Sequence, residues 1–84
     1  MAVDLLTVPA ARADAIRALA ADLRPGMTLA LSTHINADGD GCGSEAALSR
    51  LLAQRDIRCR IVNPTPWPSM FRFLLGGPVV DRSE

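Results

Sequence analysis

Lysine is absent: all nine cationic residues are arginine, and with thirteen alanines this reads as the codon usage of a GC-rich genome rather than as a functional signature. Cysteine is scarce. Cys42 and Cys59 form no CxxC pair, so neither a disulfide framework nor a zinc site follows from them, and both are expected as reduced thiols. Long apolar runs are missing too. The longest falls far short of the roughly 18 residues of a membrane span. A basic segment followed by an apolar core is missing from Met1-Ala2-Val3-Asp4-Leu5, so no signal peptide is expected and the default location is cytoplasmic. Net charge is also absent, being formally zero, which excludes a strong global attraction to long nucleic acid. It is nevertheless uneven. Residues 1–49 hold three Arg against five Asp and one Glu, a formal −3, and residues 50–84 hold six Arg against two Asp and one Glu, a formal +3.

What is present is an apolar content of 49%, which belongs to a globular chain. Eighty-four residues make at most one small domain, burying only about 60–65% of the unfolded surface. Thr7 and Pro9 suit a helix entry, and Ile16, Leu19, Ala20 and Leu23 recur at helical spacing until Pro25-Gly26. Residues 27–33 read as a buried strand. Ser44 is the expected cap of a second helix reaching Arg55, with Leu48, Leu51 and Leu52 inward and Glu45, Ser49 and Gln54 outward. Ile57 to Val62 reads as a strand, alternating Ile57, Cys59 and Ile61 against a solvated face of Arg58 and Arg60. Three prolines between Asn63 and Pro68 exclude regular structure there, with Trp67 as a packing anchor. A short helix then runs to Leu75, with Met70, Phe71, Phe73 and Leu74 as core, and Pro78-Val79-Val80 could begin a third strand. The order helix, strand, helix, strand, helix predicts an α/β fold with a partial parallel sheet and flanking helices. So few strands leave apolar sheet surface bare, which leads to the expectation that residues 1–84 are an incomplete portion of a larger domain.

Almost all the chemistry gathers in Ser32-Thr33-His34-Ile35-Asn36-Ala37-Asp38-Gly39-Asp40-Gly41-Cys42-Gly43-Ser44. His34 ends an apolar run, Asp38 and Asp40 follow four and six residues later, and the glycine-rich loop feeds a helix. Ligands of open α/β sheets bind beyond the carboxyl ends of strands, where this segment falls. One imidazole and two carboxylates suit Mn²⁺, Fe²⁺ or Zn²⁺ better than an all-oxygen calcium cage. Two carboxylates two residues apart repel unless a cation lies between them. Gly39, Gly41 and Gly43 are expected to supply the backbone angles of a tight turn, and the helix start to favour a phosphate. An EF-hand register places Ala47 where Glu is needed. A dinucleotide loop lacks its third glycine and carries two aspartates against the pyrophosphate.

Thr33-His34-Ile35-Asn36-Ala37-Asp38-Gly39-Asp40-Gly41-Cys42-Gly43-Ser44 resembles the first motif of the DHH phosphoesterases. With Leu48-Ser49-Arg50-Leu51-Leu52 and Pro66-Trp67-Pro68-Ser69-Met70-Phe71-Arg72-Phe73-Leu74, it is similar to their short-oligoribonuclease and phosphoadenosine-phosphate phosphatase branch. Related single-strand exonucleases and manganese pyrophosphatases share the first motif's spacing, and a truncated, non-catalytic remnant is the other reading. The resemblance covers roughly residues 10–80. It implies a DHH domain followed by a smaller substrate domain, two Mn²⁺ ions and hydrolysis of a short oligonucleotide or a 3′-phosphonucleotide. A homodimer is the assembly it allows for the intact protein. His34 and Asp38 would hold one metal and Asp40 the other. The family often has Pro at the place of Ala37, and its later aspartate, Asp-His-His and glycine-rich motifs have no counterpart within these 84 residues. Asp81 falls near the next motif without matching it.

Overall fold

The computed structural model describes residues 7–83; the expectation about a leader falls on residues 1–5, outside them. Helix α1 (Ala10–Asp22) is followed by β1 (Thr28–Leu31), α2 (Gly39–Ala53), β2 (Arg58–Ile61) and a 3₁₀ helix (Ser69–Leu74). This is a mixed α/β arrangement in which helices flank a two-stranded parallel sheet. Thr28 pairs with Arg58, Leu29 with Cys59, Ala30 with Arg60 and Leu31 with Ile61. Val62 N–H donates to the Leu31 carbonyl at 2.8 Å, prolonging the ladder past both strands. The expected third strand reduces to one parallel bridge, Ile61 to Asp81. There Ile61 N–H donates to the Val80 carbonyl and Arg82 N–H to that of Ile61.

Alanine propensity makes α1, which begins after Pro9 with no side-chain cap; Thr7 does not fill that position. No residue of α1 is buried. Its Ile16 and Leu19, and Leu23 just past its end, instead line an open apolar groove of about 490 Å³ with Leu48, Leu51 and Leu52 of α2. Accordingly the radius of gyration, 14.6 Å, exceeds the roughly 12 Å of a compact chain of this length.

The face that α2 buries differs from the expected leucine stripe. Cys42, Glu45, Ala46, Ser49 and Leu52 are inward, while Leu48 and Leu51 are exposed. Small side chains let the helix lie close to the strands, and the longer leucines fall on the flank toward α1. Ala37, Cys42, Ala46, Ile61, Trp67 and Val79 form the core beneath the site, with Leu31, Phe71, Leu74 and Leu75 packed against it. Leu52, Ile57 and Cys59 form a second cluster at the opposite end of the strands. Arg58 and Arg60 are exposed as expected. Trp67 is buried, and its indole N–H donates to the Phe71 carbonyl at 2.8 Å, anchoring the proline loop. Met70 and Phe73, expected in the core, are 73% and 77% exposed, because the 3₁₀ helix turns Phe71 and Leu74 inward instead. Both cysteines are free and buried. No helix among the described residues is long and apolar enough to cross a membrane.

Candidate metal centre

The segment after β1 leaves the sheet at its carboxyl end. It crosses from Ser32 to Asp38, which caps α2 six residues earlier than the expected cap, Ser44. Asp38 is the cap. Its extended backbone and its Oδ1, which accepts from Gly41 N–H at 2.8 Å, start the helix. Consequently Gly39, Asp40, Gly41, Cys42 and Gly43 are helical rather than a turn, and none of these glycines has positive φ. The left-handed residue of the crossing is Asn36, φ 52°, a type that tolerates this region. Gly41 is needed for a different reason. A Cβ there would stand 2.9 Å from Thr33 Oγ1 and 3.2 Å from Thr33 Cγ2. Gly41→Ala is therefore expected to displace Thr33 and loosen the loop, with overpacking at about 1–3 kcal/mol outweighing the gain in helix propensity of about 1 kcal/mol. Thermal unfolding and Mn²⁺ affinity of G41A and of the relieved pair G41A/T33A check this. The pair should be the more stable of the two.

The loop brings His34 and Asp38 together. Nε2 of the imidazole lies 3.5 Å from Asp38 Oδ2, and both side chains are more than half exposed. Nδ1 lies 2.7 Å from the Ile35 carbonyl. A carbonyl only accepts, so Nδ1 carries a proton; Nε2 donates to Asp38 Oδ2 when the ring is protonated, and in the neutral ring it is the nitrogen left free to bind a metal. Metal bonds of about 2.1 Å put adjacent ligands about 3.0 Å apart in an octahedron and about 3.4 Å in a tetrahedron. The observed separation thus fits two ligands of one ion after a shift of a few tenths of an ångström. The same contacts set the charges. The Ile35 carbonyl raises the His34 pKa, desolvation opposes it, and Asp38 and then Asp40 add to the rise. The Gly41 N–H lowers the Asp38 pKa, helped by His34.

Asp40 stands on the first turn of α2. It lines a groove of about 470 Å³ along β1 with Thr33, Ser44 and Glu45. It does not join His34 and Asp38 in a set of three: among the described residues no three His, Cys, Asp or Glu side chains converge as a metal cage.

Two residues of the site were not legible as such. Glu45, expected outward, is 6% exposed, and its Oε1 accepts from Asn63 Nδ2 at 3.1 Å. Asn63 itself is buried. The i, i+3, i+4, i+7 spacing of Cys42, Glu45, Ala46 and Ser49 carries the signal for Glu45, masked by the brighter leucines. Glu45 Oε2 and Ser49 Oγ are buried without a hydrogen-bond partner among the described residues. Burial raises the Glu45 pKa, opposed by the Asn63 bond and reinforced by Asp81. A carboxyl raised in the folded state contributes stability below its unfolded value of about 4.5, and that contribution is lost as pH rises through the folded value. The unfolding midpoint is expected to decline across this window. Glu45→Gln, neutral at every pH, should remove that part of the slope in stepped-pH melts, and parallel profiles for the two proteins would contradict it.

No family model, curated protein or solved structure matches the chain.

Proposed function

We propose that the chain belongs to a metal-dependent phosphoesterase of the DHH type, cytoplasmic, that hydrolyses short oligonucleotides or a 3′-phosphonucleotide with two Mn²⁺ ions. The observation that carries this is the pairing of His34 Nε2 and Asp38 Oδ2 at 3.5 Å, with the proton of the ring held on Nδ1 by the Ile35 carbonyl. A neutral imidazole oriented by its other nitrogen is the form in which histidine binds a metal. His34 and Asp38 would hold one ion, and Asp40, set apart on α2, the other. The resemblance of residues 33–44 to the first DHH motif supplies the reaction class, and the donor types within it suit a divalent metal.

The chain's own residues account for the charge balance. Asp38 and Asp40 flank the start of α2, whose N-terminus favours an anion, yet the two carboxylates repel a phosphate. A phosphoester can approach this helix end only if cations neutralise the carboxylates. When bound, Mn²⁺ supplies that neutralisation and polarises the phosphoryl oxygens. Gly41 N–H keeps Asp38 ionised and fixes its rotamer, and Ile35 fixes the ring of His34, so both donors are oriented before a metal arrives. Formal neutrality of the chain suits a short substrate better than a long polyanion.

The test is release of mononucleotides from a 5′-phosphorylated dinucleotide by the intact protein. Turnover is expected with Mn²⁺ and is expected to vanish with a chelator. Turnover indifferent to chelation, or no turnover with Mn²⁺ on either a dinucleotide or a 3′-phosphonucleotide, would contradict the proposal.

A further inference from the structure

We propose that Asn63 is a positioning residue of the metal-binding loop, holding His34 in place through Thr33. This rests on the metal reading above for its consequence, and on hydrogen-bond geometry alone for its mechanism. Asn63 follows β2 and is 4% exposed. Its Oδ1 accepts from Thr33 N–H at 3.1 Å, thirty residues away in sequence. Its Nδ2 donates to Glu45 Oε1 at 3.1 Å. Its own N–H donates to Ser83 Oγ at 2.7 Å, and Ser83 N–H donates to Asp81 Oδ1 at 2.9 Å. One side-chain amide therefore ties the exit of β1 to the buried face of α2, and its backbone ties both to the strand-edge segment after Val80.

Thr33 directly precedes His34, and it is held twice. Asn63 holds its backbone, and the first turn of α2 closes on its side chain at Gly41. A second tie lies just beyond the histidine, where Asn36 N–H donates to Thr65 Oγ1 at 2.8 Å. His34 and Ile35 thus form a two-residue span between the clamps 33–63 and 36–65. Both clamps originate in the segment following β2. The short span lets the ring meet the Ile35 carbonyl and Asp38 together.

Only a carboxamide of this length meets both demands at position 63. Thr33 N–H requires an acceptor, and Glu45 Oε1 requires a donor. Aspartate, where both it and Glu45 are ionised, offers acceptors alone, and alanine offers nothing. Exchanging the polarity restores the pattern. In the pair Asn63→Asp/Glu45→Gln, the amide introduced on α2 donates to one oxygen of the carboxylate introduced after β2, while the other oxygen accepts from Thr33 N–H.

The experiment compares wild type, Asn63→Ala, Asn63→Asp and the pair in the intact protein. One readout is the Mn²⁺ dissociation constant. The other needs no metal: the tautomer of the His34 ring, from its ¹⁵N shifts at a fixed pH where the ring is neutral. His34 is the one histidine of the 84 residues, and in the intact protein its signals are those lost in His34→Gln. Asn63→Ala is expected to weaken Mn²⁺ about 10–100-fold, as the loss of an orienting partner does at metal sites. It should also move the ring from Nδ1–H toward the mixture of free imidazole. Asn63→Asp should do likewise, and the pair should return both readouts toward wild type. A lowered unfolding midpoint with unchanged tautomer and affinity would overturn the proposal, leaving Asn63 a structural residue only. If the wild type binds no Mn²⁺ but Asn63→Ala still shifts the tautomer, the positioning role stands and the metal reading falls. If Asn63→Ala does not fold, Asn63→Asp against the pair decides, and equal tautomers in those two contradict the proposal.

Discussion

Asp38→Asn is expected to abolish Mn²⁺ binding and any Mn²⁺-dependent hydrolysis while leaving the fold intact. The separation is possible because the cap of α2 and the proposed metal bond of Asp38 fall on different oxygens. Oδ1 accepts from Gly41 N–H at 2.8 Å and caps α2, and Oδ2 faces His34 Nε2 at 3.5 Å. Asparagine caps as well as aspartate, so the helix start survives with its Oδ1 bond. What it loses is the anionic donor at Oδ2, replaced by an amide N–H₂ that points donors at the imidazole and at any cation. The expected loss in Mn²⁺ affinity is at least the roughly 10–100-fold of an outer-shell lesion. Asp38→Ala removes both tasks, adding about 1 kcal/mol of instability to the loss of metal. Calorimetry and thermal unfolding on the two variants side by side check this. D38N should melt like wild type and bind no Mn²⁺, whereas D38A should melt earlier. Equal Mn²⁺ affinity in D38N and wild type would remove Asp38 from the metal centre.

Ile61→Ala should be the most damaging single change to the fold. Ile61 is fully buried, pairs with Leu31 in the sheet and takes both bonds of the Asp81 bridge. It sits in the core cluster with Ala37 of the site loop and Cys42 and Ala46 of α2. Truncation of a buried isoleucine costs about 2–5 kcal/mol. A chain of this length has total stability of order 4–13 kcal/mol at about 0.05–0.15 kcal/mol per residue. The variant should therefore melt more than about 10 °C lower, or not fold at all. Ile61→Val, which keeps most of the volume, should cost about 0.5–1.5 kcal/mol. A loss in I61A no larger than in I61V would show that the cluster under the site is not close-packed.

The places of the strands were legible in the sequence because their signals are local: Ile57, Cys59 and Ile61 alternate with Arg58 and Arg60, and the observed strand, Arg58–Ile61, presents that alternation. The burial of β1 was not: expected as a buried strand, it has Thr28 and Ala30 exposed and Leu29 and Leu31 half-buried, because a two-stranded sheet leaves its faces uncovered. The break after α1 was legible in Pro25-Gly26, where Gly26 takes φ 92°. The place of His34 and Asp38 beyond a strand end followed from the same logic. The start of α2 was not legible, because Asp38-Gly39-Asp40-Gly41 carries the composition of a turn. Only the Asp38 to Gly41 bond shows it to be a capped helix, with glycine required by the nearness of Thr33. Nor was the buried face of α2. Leucines outrank Cys42, Ala46 and Ser49 in hydrophobicity, but a helix set close to a sheet selects for size. Asn63 was out of reach altogether, since its two side-chain partners lie thirty and eighteen residues away.

The most direct measurement is a Mn²⁺ titration of the intact protein, followed by electron paramagnetic resonance of the free ion and by the imidazole ¹⁵N shifts of His34. The expected result is saturable uptake of Mn²⁺, selective broadening of the His34 Nε2 signal, and loss of both in Asp38→Asn. Uptake that leaves the Nε2 signal sharp, or no uptake at millimolar Mn²⁺, would contradict the metal centre.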